Sequence, residues 1–227
     1  MMDITYYGHA SFLVEIGGKK LLFDPFISPN ELAKNIDINS IEADYILLSH
    51  AHQDHVADFE PIAKRTGAQL ISTYEICTYF GIKGHGNSWP MNHGGKHTFD
   101  FGTVKVVNAV HTSTFADGTP GGAPAGFVVQ GEKQTFYFAG DTALTYDMKL
   151  IAEEFSVDVA ILPIGDNFTM GYEDAVKAAD FVGTDHIIGM HYDTFPFIKI
   201  DPDAAIAYAA ERGKTLTLIN IGEIKSL

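Results

Sequence analysis

Three imidazoles and a carboxylate fall within six residues in the run His50-Ala51-His52-Gln53-Asp54-His55. Imidazole nitrogens and carboxylate oxygens at this density are the donors that a transition metal takes. His50 and His52 are two residues apart and cannot share a helical face, where neighbours lie three or four apart, so the spacing predicts a loop. On that loop His50 and His52 can pinch one ion while Asp54 and His55, further round the turn, face another. A metal-free reading would need three of the chain's 10 histidines to gather here by accident.

The cluster follows the apolar run Tyr45-Ile46-Leu47-Leu48, which reads as a buried strand, and the same placement recurs. Val106-Val107-Asn108-Ala109-Val110 delivers His111, Phe136-Tyr137-Phe138-Ala139-Gly140 delivers Asp141, Ile187-Ile188-Gly189-Met190 delivers His191, and Ile4-Thr5-Tyr6-Tyr7-Gly8 delivers His9. If these strands run in one direction within their sheets, their ends converge on one edge and the ligands converge with them. Nitrogen and oxygen donors suit zinc, manganese, iron or nickel, and the absence of thiolate leaves that choice open. Two such ions about 3.5–4 Å apart can share a hydroxide of near-neutral pKa and clamp the oxygens of a carbonyl or phosphoryl group.

The remaining pattern supplies the scaffold. Ile4–Tyr7, Phe12–Ile16 and Lys20–Phe23 read as a meander, with Gly17-Gly18 as a tight hairpin turn. Val56–Arg65 reads as one helix, with Pro61 tolerable only in its first turns. Gln69–Ser72 is a strand, Tyr74–Phe80 a short helix, and the Gly/His/Asn-rich stretch from Gly81 to Gly102 a loop with a short strand. Val104–Val110 is a strand, Asp117–Gly126 a loop, and Phe127–Gln130 with Thr135–Ala139 a hairpin. Helices over Asp147–Phe155, Tyr172–Val182 and Asp203–Arg212 alternate with strands over Val157–Leu162, His186–Met190 and Thr215–Ile219, and Asp201 is placed to cap the last helix ahead of Pro202. Strands and helices interleaved in both halves predict an α/β (α+β) protein of two mixed sheets with helices outside, in one domain spanning 1–227.

With 46% apolar residues the chain can build a sizeable core, and a formal charge of −14 disfavours binding to nucleic-acid backbones. Cys77 is the lone cysteine, which rules out an intrachain disulfide and a thiolate cage; it reads as a small buried side chain. No basic-then-apolar leader and no run of about 18 apolar residues is present, so no membrane association is expected. A reducing, cytoplasmic setting fits.

Taken in order, His50-x-His52-x-Asp54-His55, His111, Gly140-Asp141 and His191 resemble the metal signature of the metallo-β-lactamase superfamily. The flanking Gly8-His9-Ala10-Ser11-Phe12, Phe23-Asp24-Pro25-Phe26 and Leu162-Pro163-Ile164-Gly165 are similar to its compact metal-dependent hydrolases, themselves close to ascorbate-6-phosphate lactonase. The resemblance implies a four-layered αβ/βα sandwich with a dinuclear site at the sheet edge. It assigns His50, His52 and His111 to one metal, Asp54, His55 and His191 to the second, Asp141 to the bridge, and an additional metal-site role to His9. Asp54 would orient the hydroxide and take up its proton.

Asp24 follows Leu21-Leu22-Phe23 and needs a partner; a hydrogen bond to a ligating imidazole and a turn cap are both open. His93 is the loop histidine best placed to line the pocket mouth. Phe168-Thr169-Met170 and Tyr192 to Phe195 would flank the metals and shape the substrate pocket, although core packing explains the aromatics equally well. The expected function is hydrolysis of a small ester, lactone or phosphoester with two divalent transition ions, zinc first, manganese, nickel or iron as alternatives. Iron-dependent redox chemistry on oxygen or sulfur compounds, and phosphodiesterase or nuclease action, are the rival readings. The expected partner is a small-molecule substrate, and a homo-oligomer is compatible with the sequence.

Overall fold

The computed structural model describes residues 2–227 and arranges them as two seven-stranded sheets packed face to face. The first sheet holds β1 (Asp3–Gly8), β2 (Ser11–Ile16), β3 (Lys19–Phe23), β4 (Tyr45–Leu47), β5 (Gln69–Thr73) and β6 (Ser88–Met91) side by side in chain order. The second runs from β7 (Lys96–Phe99) through β8 (Gly102–Asn108), β9 (Ala125–Gln130), β10 (Thr135–Phe138) and β11 (Val159–Pro163) to β12 (His186–Met190) and β13 (Thr215–Thr217). A last strand, β14 (Ile224–Ser226), returns to pair with β1. Both sheets are mixed. The first is antiparallel across β1, β2 and β3 and parallel from β3 to β6. The second is antiparallel from β7 to β10 and parallel from β10 to β13.

Alternation along the central strands divides their side chains between two cores. Leu21, Phe23, Leu47 and Ile71 face the second sheet, while Leu22, Ile46, Leu48 and Leu70 face outward. Between the sheets, Phe23 meets Phe127, Phe136 and Phe138 at ring-centroid distances of 6.3, 5.7 and 4.7 Å. On the outer face of the first sheet, α2 (Phe59–Thr66) and α3 (Tyr74–Ile82) bury Phe59, Ile62, Ile76 and Phe80. The second sheet is covered by α4 (Met148–Glu154), α5 (Tyr172–Val182) and α6 (Pro202–Ala210), with Ala175, Val176, Ala179 and Val182 forming the buried stripe of α5. Each large apolar side chain withdrawn from water in this way contributes roughly 1.5–3 kcal/mol. The result is the expected sandwich of two sheets with helices outside.

The Gly17-Gly18 hairpin is as expected, with φ of +59° and +73° at the two glycines, the combination that turns two strands with the correct twist. Asp201 caps α6, its carboxylate accepting from the Ala204 N–H at 3.1 Å. Cys77 is buried, and burial pushes its thiol up to about 11. No helix among the described residues is long and apolar enough to cross a membrane.

Three elements depart from the sequence reading. The helix expected over Val56–Arg65 is two, a single turn α1 (Gln53–Val56) and then α2. The break at Asp58 has a cause: its carboxylate accepts from the backbone of Ile27 at 2.6 Å and Ser28 at 2.8 Å, tying the segment to the loop after β3. The stretch from Gly81 to Gly102 contains two strands, β6 and β7, each an edge of its own sheet, where a half-exposed strand has little apolar alternation to betray it. β14 was not anticipated; all three of its residues are exposed, and backbone pairing to β1 alone defines it.

Candidate metal centre

Because β1 is antiparallel to β2 and β2 to β3, β1 points the same way as β3 and the parallel β4. The same reasoning aligns β8, β10 and β12 in the other sheet. All six strands therefore end at one edge, and each delivers a polar residue there: His9 after β1, Asp24 after β3, the histidine run after β4, His111 after β8, Asp141 after β10 and His191 after β12. The backbone at this edge is held in unusual shapes. His9, Asp24 and His191 have φ of +55°, +39° and +56°, a region non-glycine residues avoid unless their surroundings enforce it. The His9 carbonyl is clamped from both sides, by the His191 N–H at 2.8 Å and the Tyr6 hydroxyl at 3.1 Å, which stitches one sheet to the other. Gly140 at φ +61° must be glycine, since a Cβ there would stand 2.7 Å from Ser49 Cβ and 2.9 Å from the Ala125 carbonyl.

The ligand atoms gather in two groups, each within 4.8 Å: His50, His52 and His111 in one, and His9, Asp54, His55 and His191 in the other. Asp141 stands where they meet. Its Oδ2 lies 3.0 Å from His191 Nε2, 3.3 Å from His55 Nε2, 3.4 Å from His111 Nε2 and 3.9 Å from His50 Nε2. The cluster is not wholly a loop. His50 to His52 are extended, but Asp54 and His55 belong to the turn α1, closed by the His55 N–H on the His52 carbonyl at 2.9 Å. That turn swings the second pair of side chains away from the first.

The hydroxyls behind the imidazoles decide which nitrogen faces inward. Ser49 Oγ donates to Asp24 Oδ2 at 2.5 Å, so it accepts from His50 Nδ1 at 2.9 Å and leaves the Nε2 lone pair of His50 free. His55 Nδ1 donates to Asp24 Oδ2 at 2.8 Å, which turns its Nε2 inward. Thr194 Oγ1 donates to the Tyr192 carbonyl at 3.3 Å and accepts from His9 Nδ1 at 3.0 Å, so His9 Nε2 confronts Asp54 Oδ2 across 3.0 Å with a lone pair on each side. His50 Nε2 and His52 Nδ1 face each other at 3.0 Å, a second close pair of donor-capable atoms at the centre. Opposed lone pairs at that distance repel, and a shared cation turns the contact into coordination.

Burial drives the His50 imidazole well below its ordinary value and holds His9 at about 4, so both are neutral donors. His52 and His111 are lowered by burial too. Burial works to raise Asp54 and Asp141, yet the imidazoles around them prevail and keep both below the usual carboxylate range. His55 is pushed up against the effect of its own burial by Asp141 and Asp54, with Asp24 adding to them. Three carboxylates thus surround one buried imidazole, a surplus of negative charge that the interior tolerates only with a counter-charge. His55 Nε2 and Asp141 Oδ1 are buried without a hydrogen-bond partner, and both belong to this cluster. Donor types, free lone pairs and uncompensated charge all fit divalent cations.

The residues expected around the pocket are dispersed. Asp24 is fully buried and accepts from His55 Nδ1, the Ser49 N–H and the Ser49 hydroxyl, so it serves both as partner to an imidazole and as backbone cap. Tyr192 is half-buried beside His9 and Thr194, in the wall of a groove of about 450 Å³. Thr169 is half-buried with its hydroxyl on the Met170 carbonyl at 3.3 Å. Met170 is corrected to a core residue: only 1% exposed, it packs under the second sheet, and its neighbour Phe168 is the one displayed. His93 is corrected as well. Its Nε2 is taken by the Pro124 carbonyl at 2.8 Å, and it lines a separate groove with Lys105, Asn108 and Leu150. Ser49 and Ser113 were missed, and Thr194, expected only as part of the pocket-flanking run Tyr192 to Phe195, proves to hold His9. Ser49 directly precedes the first histidine, the one local hint; Ser113, whose Oγ accepts the Ala51 N–H at 3.1 Å between His50 and His52, carries no hint at all.

A family profile described as "Beta-lactamase superfamily domain" matches residues 3–191. A UPF0173 metal-dependent hydrolase from Flavobacterium johnsoniae is 57% identical over 98% of both chains, and another from Christiangramia forsetii is 55% identical over 98% of both. Among solved structures, the metallo hydrolase Igni18 from Ignicoccus hospitalis is 32% identical, covers 100% of this chain and 99% of its own, and superposes with a TM-score of 0.89. The chain belongs to the metallo-β-lactamase superfamily, among the UPF0173 metal-dependent hydrolases.

Proposed function

We propose that this superfamily member is a dinuclear hydrolase acting on a small ester, lactone or phosphoester. His50, His52 and His111 would hold one ion, His9, Asp54, His55 and His191 would hold a second, and Asp141 stands between the two groups. Zinc is the first choice for such nitrogen and oxygen donors, and manganese, iron and nickel are accommodated by the same set. The observation that carries the reading is Asp141 Oδ2 within 3.9 Å of imidazoles from both groups. Bound divalent ions supply a water of near-neutral pKa and polarise the oxygen of the scissile group.

The chain's own contribution is positioning and proton handling. Asp54 is the carboxylate of the centre that meets solvent, its side chain 27% exposed against 3% for Asp141 and 0% for Asp24. Held ionised, the Asp54 carboxylate would accept the proton of the attacking water and return it to the leaving oxygen. Asp24, Ser49 and Thr194 keep the imidazoles from rotating, so the geometry is in place before substrate arrives.

Elemental analysis of purified protein, with each metal restored in turn, tests the reading directly. About two equivalents per chain, with turnover of an ester, lactone or phosphodiester panel, is the expected result; fewer than about one equivalent of any transition metal under every condition overturns it. Oxygen consumption by iron-loaded protein would instead favour redox chemistry.

A further inference from the structure

We propose that Phe168 and Phe197 together recognise an uncharged apolar group, aryl or alkyl, attached to the scissile carbonyl of the substrate. This rests on the hydrolase reading above and names the substrate class of that same site.

Phe197 stands on the loop that continues from β12, and Phe168 on the loop after β11, the strand between β10 and β12. Phe168 lies in the turn after β11, closed by the bridge between Gly165 and Gly171 and tied by the Met170 N–H to the carbonyl of Thr142, next to Asp141, at 3.1 Å. Phe197 lies in the 3₁₀ turn Pro196–Ile198 on the loop that carries His191. Packing does not explain either ring. Phe168 is 50% exposed and Phe197 72%, while Met170 at 1% and Ile198 at 0% supply the buried anchors of the same two loops. The rings approach each other at 6.2 Å and 71°, an edge-to-face pair left open to water. Two large aromatic faces displayed side by side next to a polar centre are a surface that gains from being covered.

Aromatic rings also border the centre itself, on the loop that carries Phe197 and on the loop after β3. Phe195 and Phe26 lie 5.4 and 5.5 Å from the His9 ring and 6.2 Å from each other. Charge decides what covers it. Among the described residues no lysine or arginine pairs with Asp24, Asp54 or Asp141; their ion-pair partners are histidines. Lys199, on the loop after Phe197, lines an adjacent groove together with Asp166, Glu173, Asp174 and Asp201. Recognition of a phosphate or carboxylate tail calls for an Arg or Lys clamp, and a tail of that kind would here face acidic side chains. A neutral carbonyl compound with an apolar substituent meets both conditions.

The test is calorimetric binding of three probes to zinc-loaded protein: acetohydroxamic acid, phenylacetohydroxamic acid and its 4-carboxylated derivative. The phenyl probe should bind about tenfold more tightly than the methyl one, the range of one good aromatic contact, and the carboxylate should remove most of that gain. Phe168→Ala and Phe197→Ala should each erase most of the phenyl preference at unchanged zinc content, and Phe197→Leu should keep part of it. Equal binding of all three probes, tightest binding of the carboxylated one, or a phenyl preference untouched by both alanine variants overturns the proposal. Parallel turnover of phenyl and methyl esters separates the two readings. A phenyl preference in binding without hydrolysis of any ester, lactone or phosphodiester defeats the hydrolase reading, whereas hydrolysis with no phenyl preference defeats this one alone.

Discussion

His9, His55 and His191 lie inside the protein with Asp54 at their solvent side, whereas His52 and His111 of the other ligand group stay half-open to water and only His50 is buried. The buried group contains a carboxylate, and the outer nitrogens of His9 and His55 are anchored on Thr194 and Asp24. The open group consists of neutral imidazoles, of which His52 has only a Thr112 hydroxyl at 3.4 Å behind it. Two ions bound in such unlike surroundings would not be equivalent. Charge neutralisation belongs to the buried group, which should grip its ion harder, and accessibility belongs to the open one.

Replacing Asp54 tests the comparison most severely. Asp54→Ala makes the buried group imidazole-only, like its neighbour, and removes the solvent-facing proton acceptor, so kcat should fall about 10³-fold with the circular dichroism spectrum retained. Unchanged turnover would remove Asp54 from the proposed chemistry. Asp24→Asn comes next. It loosens His55 directly and His50 through Ser49, so both ions should bind about 10–100-fold more weakly in chelator competition; weakening of one ion only would show that Ser49 does not transmit the effect.

Chelator titration of the native protein should then show two steps, the first ion leaving at about tenfold lower chelator than the second, a separation of about 1.4 kcal/mol. Acidification should strip the ions too, since ligation requires neutral imidazole; burial keeps His52 and His111 neutral to below their ordinary range, so the open group should hold its ion until the pH falls below that range. A single cooperative step in either experiment would make the two groups one unit. The smallest effects separate the groups individually. Ser113→Ala should weaken only the open group and Thr194→Val only the buried one, each less than about tenfold, read by which of the two chelation steps moves.

The fold was largely legible because its central strands are apolar runs ending in polar residues, and the ligands because each follows such a run. His111 and His191 are isolated in the chain, yet Val104 to Val110 and Ile187 to Met190 announce them. What was not legible depends on the third dimension. Ser49, Ser113 and Thr194 are ordinary hydroxyls until the partner that each serves is known. Thr169, Met170 and Phe168 are consecutive, and nothing in their order says that Met170 turns into the core while Phe168 turns out. His93 looked like a site residue because it sits among glycines, but its partner is the Pro124 carbonyl. The edge strands β6 and β14 lack the alternation that marks a half-buried strand.

The clamp on the His9 carbonyl has a consequence for how the protein is made. The His9 and His191 rings lie 4.1 Å apart, tilted by 43°, although most of the chain separates them, and contacts of such sequence separation form only after a large loop has closed. During synthesis the histidine run and His111 emerge well before His191, so the buried group is the last to be assembled. Closure of the His9 carbonyl onto the His191 N–H is then the step that completes the centre.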